Sequence, residues 1–291
     1  MIDRLDRLLK TLRNHVSRLN LGLRPKPIAA SSQAATPAVF EYVPEGWSKQ
    51  RNDPKVKGWA VESITAANAA AWPDFSRTVI SSAPLATSPE MPPGSAPTLA
   101  AQSAMLAFSY AVALAAVGSD QISILDWGGA AGQHALVART MVPNVSIDYH
   151  CVDLESLRAL GRELNPDVSF YDPDYPALNR AYDLVVVSGS LQYMEDWRTL
   201  AAFLAGASKS FLYAARIPMV ERVPSYVMVQ RPYAFGYDTE YLSWCFNRTE
   251  FLGLVEQSRM RLFREFLGSD AITVKDAPEQ CQFRSFLFQR C

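Results

Sequence analysis

The residues with the most chemical content lie between positions 122 and 134, in the run ISILDWGGAAGQH. Gly128, Gly129 and Gly132 follow an acid, Asp126, which stands at the end of a short apolar stretch. Such a turn lets backbone approach a ligand, and the helix after it aims its free N–H groups at the same place. Asp153 stands 21 residues beyond Gly132. A carboxylate at that distance can accept hydrogen bonds from both hydroxyls of a ribose, with Glu155 as the substitute. Two cofactor classes use this layout. A dinucleotide fingerprint, G-x-G-x-x-G, would need its first glycine at position 127, where Trp127 stands. The alternative is an acid followed by a glycine-rich turn, Asp126-x-Gly128-Gly129-x-x-Gly132.

Strands and helices must alternate to hold these groups. Residues 122–125 form a short apolar strand, and a helix over 134–142 is stopped by Pro143. A second strand over 145–152 ends at Asp153, and a short helix over 157–164 follows. A third strand, 168–171, ends in Asp172-Pro173-Asp174. A fourth, 182–187, reads YDLVVV, the β-branched pattern of a strand buried on both faces. Residues 211–215 make a fifth. A helix over 249–257 and strands near 260–266 and 283–289 complete the pattern. This alternation predicts an α/β fold with a mostly parallel sheet.

The acid–glycine turn resembles the first motif of class I S-adenosylmethionine-dependent methyltransferases, whose usual pattern is D-x-G-x-G-x-G. Here Ala130 stands for the middle glycine and an extra glycine stands at 129. The run Ser188-Gly189-Ser190-Leu191-Gln192-Tyr193 resembles that family's motif after the fourth strand. With the double glycine, it looks like a subgroup of bacterial methyltransferases often encoded near surface-polysaccharide genes. The resemblance covers about residues 120–291, more loosely Glu45-Gly46-Trp47. It implies a Rossmann-like seven-stranded sheet flanked by helices, its last two strands an antiparallel hairpin, and S-adenosylmethionine as cofactor. By that resemblance Gly128, Gly129 and Gly132 admit the methionine end of the cofactor and Asp126 helps place its ammonium. Asp153 takes the ribose. Asp172, or else Asp174, faces the adenine amino group, and Ser190 and Leu191 lie beside the sulfonium.

Methyl transfer from a sulfonium needs alignment and exclusion of water, and a base only when the acceptor is protonated. His134, Tyr193 and Glu195 are the candidates, each with a structural role as the alternative. In the family the segment after strand five often roofs the acceptor, which here is about 216–246. Its Arg216, Tyr233, Tyr237 and Tyr241 suit a sugar or another anionic, ring-bearing acceptor. The leading expectation is methyl transfer to a small molecule or glycan precursor. A non-catalytic methyltransferase-like binding protein and an NAD(P)-dependent oxidoreductase are the alternatives.

The 291 residues are 49% hydrophobic and 20% charged, as in a globular protein. A net charge of −1 supplies no excess to hold nucleic acid. Three scattered histidines and four cysteines without a C-x-x-C pair argue against a metal site or a disulfide framework. Residues 1–23 read as a basic amphipathic helix and 24–38 as a flexible linker. Residues 39–98 read as an N-terminal helical or lid region and 99–291 as the methyltransferase-like domain. Residues 1–26 hold seven basic and two acidic residues, a local charge of +5 that leaves −6 for the remainder. That helix either packs on protein or lies on an anionic membrane. The expected location is the cytoplasm, with peripheral contact at the inner membrane face as the outcome of the second case. The run 99–117 is long and apolar enough for a membrane span. Gly118-Ser119-Asp120 and the strand at its end instead read it as a buried helix covering a sheet. The sequence leaves the oligomeric state open.

Overall fold

The structure is a computed structural model that describes residues 39–291 except 52, 89, 175–178 and 269–271. The basic helix and linker over 1–38, with the membrane contact expected of them, lie outside the described residues.

The expected alternation is present. Strands β2 (Gln121–Trp127), β3 (Ser146–Val152), β4 (Ser169–Tyr171), β5 (Tyr182–Ser188) and β6 (Ser208–Val220) are parallel, in the spatial order β4-β3-β2-β5-β6. Helices α1 (Glu62–Ile80), α2 (Leu99–Ala116) and α3 (Gln133–Met141) cover one face. The helix α4 (Glu155–Leu164) bridges β3 and β4. The other face carries α5 (Trp197–Ala207) and α6 (Arg248–Gln257), which bury Trp197, Leu204, Phe251 and Val255 against Val185, Leu212 and Phe286. Caps start the helices: Thr98 accepts from the Ala101 N–H, Asp196 from Thr199 and Asn247 from Glu250.

Among the described residues the sheet has eleven strands, not seven. Beyond β6 lie β11 (Gln282–Arg290), antiparallel to it, and β9 (Met260–Leu267), antiparallel to β11. These make the expected antiparallel pair. Four further strands were not anticipated: β1 (Val39–Tyr42), β7 (Tyr226–Arg231), β8 (Tyr241–Asn247) and β10 (Val274–Lys275), in the order β10-β1-β7-β8. They join through β6, whose last residues, Met219 and Val220, pair with Phe246 and Asn247 of β8. The expected roof over 216–246 is therefore largely sheet, and residues 39–42 belong to that sheet.

Strand β6 runs through Pro218, a residue without an N–H to donate. On one edge its pairing with β5 ends at Ala215 and its pairing with β8 begins at Met219. Pro218 falls in the gap, where no donor is required. On the other edge Ile217 faces Arg284 and Ala214 faces Phe286. Ala215 and Arg216 therefore oppose Ser285 alone, a β-bulge.

Candidate active site

Strand β2 ends at Trp127 and the chain turns at once. Gly128 has φ +73° and donates its N–H to the Val152 carbonyl at 2.8 Å. A methyl group at Gly128 would overlap the Ser190 side chain, whose Oγ donates to the Trp127 carbonyl at 2.7 Å. The loops after β2 and β5 thus interlock where only glycine fits. A methyl group at Gly129 would strike the Asp126 carboxylate and the Cys151 thiol. Ala130, at the place of the usual middle glycine, has φ +49°, a left-handed conformation that favours glycine. Its N–H donates to Asp153 Oδ2 at 2.7 Å, so the strained residue is held by the acid at the end of the neighbouring strand.

The other oxygen of Asp153 accepts from the Leu154 N–H at 2.7 Å. Burial pushes the Asp153 carboxyl up to about 6, against the downward pull of these two N–H groups. Asp153 borders a cavity of about 430 Å³ at the carboxyl ends of the parallel strands. Gly128, Gly129 and Ala130 line it beside Leu154, Leu157, Pro173 and Ser188–Ser190. This is the ligand end of an open α/β sheet.

The far half of the cavity is assembled from distant chain segments. The bulge turns Arg216 to φ +55°, and its guanidinium comes to rest against Gly189 and the Ser188 carbonyl. The backbone of Arg216 is held on both sides: Gln192 Nε2 donates to its carbonyl and its N–H donates to Ser285 Oγ. Glu90, from the Pro-rich loop between α1 and α2, receives both terminal nitrogens at 2.7 and 2.8 Å. Burial alone would raise the Glu90 carboxyl, but the charge and hydrogen bonds of Arg216 hold it below its ordinary value. Trp59 stacks on Tyr241, with ring centroids 4.6 Å apart, and meets Tyr193 at 4.9 Å. Tyr193 donates its hydroxyl to Gln230 Oε1 at 3.0 Å. Burial, with the nearby Glu90 charge, pushes the Tyr193, Tyr237 and Tyr241 phenols well up, so they stay neutral at ordinary pH.

His134, on the first turn of α3, also borders the cavity. Its Nδ1 lies 3.2 Å from Asp126 Oδ2, and the Tyr149 hydroxyl donates to the same oxygen at 2.8 Å. With the proton on Nδ1 the imidazole donates to the carboxylate and leaves Nε2 as an acceptor. Phe108 packs on the ring, with centroids 4.6 Å apart.

Of the residues singled out from sequence, Gly128, Gly129, Asp153, Ser190, His134, Tyr193, Arg216, Tyr237 and Tyr241 meet at this cavity. Six do not. Asp126 is fully buried beneath Gly129 and His134, which line the cavity in its place. Gly132, at φ +78°, caps α3 with its carbonyl bound by Asn165, away from the lining. Leu191 is in the core. Asp172 accepts from Arg158 at 2.9 Å, and Pro173 between Asp172 and Asp174 is the lining residue. The Glu195 side chain is exposed, and its carbonyl accepts from Trp244. Tyr233 is half exposed and donates to Glu240. Sequence reasoning missed Glu90, Asn68 and Gln133 as cavity residues. One signal was available: Glu90 is the only charged residue between Arg77 and Asp120.

No protein-family model and no curated protein matches the chain. Solved structures are similar to it at low identity. The N-terminal domain of EvdMO1, determined in the presence of SAH and D-fucose, is 15% identical over 65% of this chain and 83% of that chain, with a TM-score of 0.47. An S-adenosylmethionine-dependent methyltransferase from Clostridium acetobutylicum is 9% identical over 63% of this chain and 90% of that one, with a TM-score of 0.44. CalS10, an amino pentose methyltransferase from Micromonospora echinaspora, is 13% identical over 64% and 90%, with a TM-score of 0.43.

Proposed function

We propose that the protein is an S-adenosylmethionine-dependent methyltransferase acting on a small molecule or glycan precursor. The observation that carries this reading is Asp153: a carboxylate on the cavity wall, tied to the glycine turn through the Ala130 N–H at 2.7 Å. The residues present fit the cofactor. The turn at Gly128 and Gly129 has no room for a Cβ and leaves backbone as the wall for the aminoacyl end. Asp153 keeps lone pairs for the ribose hydroxyls, and Leu154, Leu157 and Pro173 give apolar surface for adenine. Trp127 packs its ring edge-on to Phe203 and stands where a dinucleotide turn would need glycine, which disfavours a nicotinamide cofactor.

When bound, S-adenosylmethionine supplies an electrophilic methyl group whose sulfonium charge disappears on transfer. The chain has to position the acceptor and, where the acceptor is a protonated nucleophile, take up its proton. Trp59, Tyr193, Tyr237 and Tyr241 line the far half of the cavity with aromatic surface for the acceptor. The three tyrosine phenols, neutral and raised, are poor bases. His134 is the better one: Asp126 orients it through Nδ1, and Nε2 is left to accept a proton from a hydroxyl or amine. Arg216 is already neutralised by Glu90, so the pair favours a hydroxyl- or amine-bearing ring over an anionic one.

Isothermal titration with S-adenosylmethionine and S-adenosylhomocysteine tests the reading. Micromolar binding of both is expected. Binding of neither below millimolar concentration overturns it, and binding of a nicotinamide cofactor instead replaces it.

A further inference from the structure

Helix α2 carries no charged residue and is long and apolar enough to cross a membrane, yet only part of it is buried. One side packs Met105, Phe108, Ala111 and Val112 into the core with α3, β2, β5 and β6. The opposite side exposes Leu99, Ser103, Leu106, Tyr110, Ala113 and, just past the helix, Val117. The steps between them are four, three, four, three and four, the spacing of a coiled-coil seam. Leu99 is 84% exposed, Leu106 53% and Val117 75%. Phe266 of β9 meets Tyr110 edge-on, and Phe263, 37% exposed, extends the surface from the bulge in that strand.

We infer that this seam is the contact between two copies of the chain, each α2 lying antiparallel against the other across a twofold axis. Four observations support a second copy as the occupant. The seam repeats at heptad spacing with small residues, Ser103 and Ala113, between the large ones, which allows knobs to enter holes. An isologous contact places apolar on apolar and buries no charge, because the helix has none. The helix is about 27 Å long, and side chains exposed to this degree offer on the order of several hundred Å² of apolar surface. That is of the order of the roughly 800 Å² per partner of a standard interface and of the largest apolar patches that soluble monomers leave in water, which are often functional. A membrane surface is the poorer match. A helix lying on lipid sets Lys or Arg beside its apolar face along its own length, and α2 carries neither.

Light scattering on the full-length protein at about 50 µM tests the inference. The expected mass is twice 32.2 kDa, falling to that of one chain in Leu106→Glu with an unchanged circular dichroism spectrum. Should that variant fail to fold, Leu106→Cys in a Cys291→Ser background is expected to give a covalent dimer with a short bismaleimide. A full-length monomer at 50 µM overturns the inference, whether or not it pellets with phosphatidylglycerol vesicles. So does a dimer that survives Leu106→Glu, or the absence of the crosslink.

Discussion

The two halves of the cavity are built in different ways. The half around Asp153 comes from neighbouring strands and the turns directly after them: Trp127 to Ala130, Val152 to Leu154, and Ser188 to Ser190. Its geometry is set by backbone, with Gly128 locked against Ser190 and Ala130 tied to Asp153. The half around Arg216 is set by side chains. Glu90 and Arg216 lie 126 positions apart, and Trp59 reaches Tyr241 across a still longer stretch of chain. A backbone-built site tolerates sequence change around it as long as the turn survives. A side-chain-built site can be retuned one residue at a time. The contrast suits a fixed cofactor and a variable acceptor.

Breaking the backbone half should have the largest effect. Gly128→Ala would strain a left-handed residue and overlap Ser190, and is expected to cost about 2–3 kcal/mol. A melting curve should fall by roughly 5–10 °C, with loss of S-adenosylhomocysteine binding. Asp153→Ala removes the acceptor of two N–H groups and of the proposed ribose contacts. Its S-adenosylhomocysteine affinity should fall about 10- to 100-fold by titration calorimetry, as expected for hydrogen bonds to a charged group.

Acidification probes the same half more gently. With the Asp153 carboxyl near 6, most of it is protonated at pH 5 and little at pH 7.5. Affinity for S-adenosylhomocysteine should be about tenfold weaker at pH 5, and Asp153→Asn should flatten the profile. The sign for the unliganded fold is opposite. A carboxyl raised on folding favours the folded state at low pH, a contribution lost as pH rises from about 4 to about 6. The smallest effect sharpens the comparison. Glu90→Gln releases Arg216 and should leave cofactor affinity within about twofold, while kcat/KM for an acceptor found by screening falls. A drop in cofactor affinity as large as that of Asp153→Ala would mean that the halves are not separate.

What could be read in the sequence was what is local. Strand-to-turn-to-helix succession over 122–171 rests on side-chain periodicity, glycine and proline, and the observed helices fall within a residue or two of the expected spans. Asp153 was found because short connections keep the ends of adjacent parallel strands together. The same logic did not show that Asp126 lies behind the lining. Type and position marked it as an acid at a strand end, but only packing shows it beneath Gly129, serving His134 and Tyr149.

The remainder was decided by tertiary structure. Strand β1 finds β7 and β10 from opposite ends of the described chain, and no local pattern encodes such a pairing. Glu90 looked like a lone charge in a proline-rich connection until the bulge at Arg216 turned a guanidinium toward it. Sequence settled that α2 is an apolar helix, because propensity and hydropathy belong to the segment itself. Which of its faces the sheet covers, and which is left for a partner, depends on neighbours that contact it only once the chain has folded.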